Sequence, residues 1–140
     1  MLTTQEKKNI YVAMLLLFTG SLVYLLFRQD VIFLSRVNQD VLHIFHISIE
    51  RNDNILIYIL LYCLPDGLWY AALLVFQVSF IQYGNINKFL FGVAVVLPFL
   101  LEILQLVHCI PGTFDLYDIT TYLTTLLIFM LCKKNLLFKL

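Results

Sequence analysis

The chain has 140 residues, of which 61% are apolar and 13% charged, and its formal net charge is zero. A soluble domain carries about a quarter charged residues, so a soluble sandwich or dinucleotide-binding domain is excluded, as is intrinsic disorder. A mean hydropathy of +0.91 marks an integral membrane protein, and the few, scattered basic residues argue against nucleic acid as a partner.

Lys7 and Lys8 precede an uncharged stretch over residues 10–27. It is long for a signal peptide and no small-residue cleavage site comes after it, so a retained first span is expected. Residues 28–53 mix Arg36, Asp40, Glu50 and Arg51 with many apolar residues. That mixture is too polar for a lipid-facing span and too apolar for a free loop. It reads as an interfacial helical segment reaching to about residue 64. His43, His46 and Glu50 share one face of it, with no fourth ligand evident. A polar face on an interfacial helix explains that spacing, and neither a metal nor another cofactor is expected.

Residues 54–83 carry one charge, Asp66. One helix of that length would run about 45 Å against a hydrocarbon core of about 30 Å. The stretch Leu64-Pro65-Asp66-Gly67 is expected to break it. Proline lacks a helix donor, and aspartate is a good N-cap for the next helix. The second span is then 67–83, closed by Gly84-Asn85. The third is 89–110, with a kink expected at Pro98 and a close at Pro111-Gly112. The fourth is 115–132. The expectation is an all-α membrane bundle of one domain, four transmembrane helices and an interfacial segment. Trp69, Tyr11 and Tyr83 fall near span ends, as interfacial aromatics do. Cys63, Cys109 and Cys132 form no metal or dithiol spacing and read as small hydrophobes.

Four spans place both termini and the Gly84–Lys88 turn on one side, with Lys7, Lys8, Lys88, Lys133, Lys134 and Lys139. The other side has Arg28, Arg36 and Arg51. Six cations against three put both termini in the cytoplasm. Asp30, Asp40, Glu50, Asp53, Asp66, Glu102, Asp115 and Asp118 then lie outside or in the outer half of the membrane.

The most informative residues are Glu102 and Gln105, then Gly112-Thr113-Phe114-Asp115, then Asp118. Glu102, Gln105 and Cys109 share one helix face, and Asp115, Asp118 and Tyr122 share another. The short turn between makes the helices antiparallel neighbours, so the two polar faces can meet near the outer end. Asp66 begins its span at a similar depth. An intramembrane carboxylate is expensive and is by default a functional hypothesis. Glu102 must be protonated, hydrogen-bonded or in water, with Gln105 or a water bridging it to Asp118. A structural hydrogen bond between spans three and four is the plainer reading. Asp115 and Asp118 have a plainer reading too, as N-cap and third residue of the fourth helix. His108 suits the C-terminus of span three. No phosphate loop, HExxH or GxSxG motif is present, and no arginine cluster would bind a lipid phosphate, so an enzyme is disfavoured.

These residues, with Leu64-Pro65-Asp66-Gly67-Leu68-Trp69 upstream, resemble the VanZ-like family of small bacterial membrane proteins over about residues 55–130. The family's founding member is associated with glycopeptide resistance, so the resemblance implies the bacterial cytoplasmic membrane and a cell-envelope role rather than a reaction. Members often carry Asn and Gly after the second Asp; here the stretch is Ile119-Thr120-Thr121-Tyr122-Leu123-Thr124-Thr125, so threonines must supply the packing. The leading expectation is an outer-leaflet pocket of Glu102, Gln105, Asp115, Asp118 and Asp66 that binds an amphiphilic or cationic ligand, such as an envelope lipid or glycolipid. A structural or accessory subunit, paired with itself or another membrane protein, is the alternative. A small cation-coupled transporter ranks third, because spans one and two lack a polar lining.

Overall fold

The computed structural model describes residues 2–27 and 58–137, and all of its regular structure is helical. Helix α1 is Thr4–Phe27. Helix α2 opens with a π-helical turn, Ile59–Cys63, and continues as an α-helix over Leu64–Val78. A 3₁₀ turn, Ile81–Tyr83, leads to α3 at Asn85–Leu106, and α4 is Leu116–Leu137. All four are long and apolar enough to cross a membrane. The protein is a multi-pass α-helical membrane protein. The expected interfacial segment, with His43, His46 and Glu50, lies outside the described residues up to 57.

The main departure is at α2, whose helix is already formed at Ile59 instead of starting at residue 67. Pro65 does not break it. The Leu64 N–H bonds to the Ile59 carbonyl, five residues back. A π turn just before proline widens the helix where an ordinary turn would press the ring against a carbonyl. Asp66 is therefore inside the first α-helical turn and does not cap it. The same helix ends at Val78, short of the expected 83.

Helix α2 is the centre of the bundle, and α1, α3 and α4 each contact it. Leu74 is fully buried, and Tyr70, Val75 and Val78 join it with Ala13 of α1, Ile81 and Phe129 of α4. Phe99 and Tyr122 set their rings edge-on to Tyr70, at centroid distances of 6.2 and 5.6 Å. Tyr122 thus belongs to the core rather than to a polar face. Pro98 lies inside α3 and cannot donate to Ala94. The Tyr70 hydroxyl donates to the next carbonyl, Val95, at 2.9 Å, as neighbouring helices do where proline disturbs a transmembrane ladder.

Close approach at two glycines fixes the helix crossings. A Cβ on Gly67 would sit 2.7 Å from Thr121 Cγ2 and 3.2 Å from Thr125 Oγ1, so the α4 threonines do supply this contact. A Cβ on Gly20 would meet the Trp69 ring at 2.7 Å. Trp69 faces α1, where Tyr24 lies 5.0 Å away between ring centroids, and its indole nitrogen is buried. This corrects its reading as an interfacial aromatic: the glycine notch in α1 accepts the indole. Tyr11, 76% exposed, does lie on the outside. Gly67→Ala should destabilise the bundle by about 1–3 kcal/mol. Adding Thr121→Ser, which removes the clashing methyl, should recover part of that loss in detergent melting curves.

Helix α3 ends at Leu106, four residues before Ile110. The His108 N–H bonds to the Gln105 carbonyl at 3.0 Å and the Cys109 N–H to Leu104 at 2.9 Å. That is the Schellman pattern, with His108 in the left-handed position at φ 56°. Cys109 is thereby exposed in the turn and leaves the Glu102 face. Because glycine takes this conformation without a Cβ penalty, His108→Gly should stabilise the protein by about 0.5–1 kcal/mol in the same melting assay.

Candidate functional site

The site lies where the start of α2, the end of α3 and the start of α4 converge. Asp115 caps α4: its Oδ1 accepts the Tyr117 N–H at 2.8 Å. Asp118 stands in the first turn. The short connection through Gly112 returns the chain against α3. Gly112 has φ 140°, and the Gln105 side chain lies on it so closely that a Cβ would be 2.6 Å from Nε2.

Glu102 is 5% exposed, and its Oε2 accepts the backbone N–H of Asp115 at 3.3 Å. Glu102 thus reaches the turn before α4 at Asp115, while the Gln105 side chain lies against Gly112 instead of bridging Glu102 to Asp118. The carboxylate spans two helices with one acceptor bond. Asp115 reaches further. Its Oδ2 accepts the Tyr58 hydroxyl at 2.6 Å, which ties the turn before α4 to the start of α2. Tyr58 stacks on Tyr62 at 5.0 Å and meets Tyr117 edge-on at 5.6 Å.

Cys63, 1% exposed, lies within the influence of the Asp118 carboxylate. Asp66 and Asp115 act on the same thiol through their charge, as Asp118 and Asp115 act on Glu102. Of the expected site residues, Glu102 and Asp115 are bonded, Asp118 is near enough to act on Glu102 through its charge, Asp66 is near Cys63, and Gln105 lies on the Gly112 turn. Among the described residues no group of three or more His, Cys, Asp or Glu is arranged to hold a metal ion.

Tyr58 and Cys63 are the additions. The sequence signal for them is the register of α2: once the helix runs through Pro65, Tyr58, Tyr62 and Asp66 recur at four-residue spacing on one face. The hydrogen bond to Asp115 is the first cause holding the Tyr58 phenol above its ordinary pKa, with burial second. A raised phenol pKa means the bond's stabilisation is complete below about pH 10 and is lost only as pH rises through the folded value. Tyr58→Phe should therefore lower stability by about 1–3 kcal/mol, by the same amount at pH 6 and pH 9.

An open groove of about 210 Å³ runs beside this cluster, lined by Ile59 of the π turn and by Tyr117, Thr120, Thr121 and Thr124 of α4. The three threonine hydroxyls donate to carbonyls of their own helix, at 2.8–3.0 Å, so their remaining capacity is as acceptors. The arrangement offers acceptors: four carboxylates, tyrosine faces and threonine oxygens. Among the described residues this end carries no lysine or arginine. No family model, curated protein or solved structure matches the chain.

Proposed function

We propose that this is a VanZ-like protein of the bacterial cytoplasmic membrane, with both termini cytoplasmic. In this reading, the Glu102–Asp115–Tyr58 cluster forms an outer-leaflet pocket that binds an amphiphile with a cationic or polyhydroxyl headgroup, in service of the cell envelope. The observation that carries this reading is the buried Glu102 carboxylate. It is joined to Asp115 and, through it, to Tyr58, with Asp118 and Asp66 close by. Such a concentration of carboxylates favours a cation or a donor-rich headgroup over an anion. The adjoining groove beside Ile59 and Thr124 gives an acyl or prenyl chain a place to lie. The family resemblance and the lysine bias of the termini supply the envelope setting and the orientation.

A second reading has its own support. The Tyr58–Asp115 and Asp115–Glu102 bonds both join separate elements, as structural glue or an accessory subunit's core would. A transport path is disfavoured by the aromatic and aliphatic layer of Tyr70, Leu74, Val75, Phe99 and Tyr122 at mid-bundle.

Titration with dodecyltrimethylammonium of protein purified in a neutral maltoside detergent separates the two. Ligand binding requires that the cationic amphiphile raise the melting temperature of the wild type, and that Glu102→Gln and Asp118→Asn each abolish the rise. One shared site further requires that the double variant be no worse than the worse single. Equal responses in all four proteins would leave the structural reading. A reporter fused after Leu140 that is active only outside the cell would reverse the orientation.

A further inference from the structure

The opposite end of the bundle has the reverse charge. Lys7 and Lys8 stand in the first turns of α1, Lys88 in the first turn of α3, and Lys133 near the end of α4. Two contacts gather them. The Tyr83 hydroxyl donates to Glu6 Oε1 at 2.8 Å, which brings the turn before α3 onto the start of α1. The Lys133 ammonium donates to Asn9 Oδ1 at 3.0 Å, which brings α4 there too. Glu6 is the one acidic residue described at this end. It is 3% exposed and turned inward, where its Oε2 also accepts the Thr3 N–H at 2.7 Å. Four lysines against one carboxylate leave this end strongly positive, and Lys7, Lys8 and Lys88 are exposed.

Outward-facing apolar side chains adjoin the lysines on α1 and α3. Tyr11 and Val12, three and four residues after Lys8, are 76% and 40% exposed, and Ile86 and Phe89 beside Lys88 are 65% and 66% exposed. A partner that satisfies both must carry an anionic group next to hydrocarbon. A soluble polyanion would meet the ammonium groups and leave the adjoining turns bare. We propose that this lysine-bearing end binds the headgroups of anionic phospholipids, whose acyl chains cover the first turns of α1 and α3. Lysine stems lie along apolar surface while the ammonium reaches the headgroup plane, and each such cation contributes about five-fold to association at low salt.

The test uses the full chain reconstituted in phosphatidylcholine vesicles holding a trace of spin-labelled phosphatidylglycerol or spin-labelled phosphatidylcholine. The fraction of motionally restricted label reports each lipid's preference for the protein. The wild type should prefer phosphatidylglycerol several-fold at low salt. That preference should fall toward unity in about 0.5 M salt, where screening is nearly complete, and in the Lys7→Gln, Lys8→Gln, Lys88→Gln variant. Equal restriction of the two lipids by the wild type at low salt would overturn the proposal. So would a preference that persists undiminished in the triple variant. The salt response is read on the wild type alone and stands whether or not the variant folds.

Discussion

Glu102→Leu should cost about 1–3 kcal/mol of stability, because it leaves the partly buried Asp115 N–H without its acceptor. Glu102→Gln should stay close to the wild type, since the amide oxygen can accept the same bond at nearly the same shape. The pair separates the structural bond of this side chain from its proposed ligand contact. The backbone bond is a matter of shape, and either Glu or Gln can make it. Attraction for a cationic headgroup is a matter of charge, and only Glu supplies it. Denaturation of detergent-solubilised protein reads the first, and cationic-amphiphile titration reads the second. A Glu102→Leu variant as stable as the wild type would mean that the turn before α4 finds another acceptor. The loss in a membrane protein is expected toward the lower part of the range, because helices separated in lipid find alternative partners.

The second large effect is at the other end. Glu6→Leu should cost about 2–4 kcal/mol, summed from two structural roles. Glu6 and Thr3 form a reciprocal capping box: the Glu6 N–H bonds to Thr3 Oγ1 at 3.3 Å and the Thr3 N–H to Glu6 Oε2 at 2.7 Å. The other carboxylate oxygen accepts the Tyr83 hydroxyl, so the same substitution also releases the α2–α3 connection from α1. Tyr83→Phe removes only that second role and should cost about 1 kcal/mol. If Glu6→Leu and Tyr83→Phe lose the same amount in equilibrium unfolding, the capping box contributes nothing.

Three helices are legible from apolar run length alone, because hydrocarbon thickness sets the number of residues a span needs. Their ends are less so. Helix α3 stops at Leu106 because His108 takes a left-handed conformation that only local hydrogen bonding favours. The start of α2 misleads because proline reads as a breaker, whereas a π turn admits it without interruption. That register error hides Tyr58 and Cys63, the two groups through which α2 reaches Asp115 and Asp118. The pairing of Glu102 with the first turn of α4 is legible, since a short antiparallel connection leaves little choice of neighbour. The role of Gln105 is not, because its fate depends on the Gly112 backbone rather than on its spacing from Glu102. The Thr3-x-x-Glu6 signature stands openly in the sequence as a capping box. The partnership of Asn9 with Lys133, 124 positions apart, has no local signal.

The Glu102 cluster is proposed to hold an amphiphile. The most direct measurement is native mass spectrometry of wild type and Glu102→Gln, both purified from bacterial membranes in the same neutral detergent. The wild type should retain an amphiphile bearing an amine or sugar headgroup, and Glu102→Gln, folded and equally abundant, should lose it. The same retained molecules in both proteins, or none in either, would contradict it.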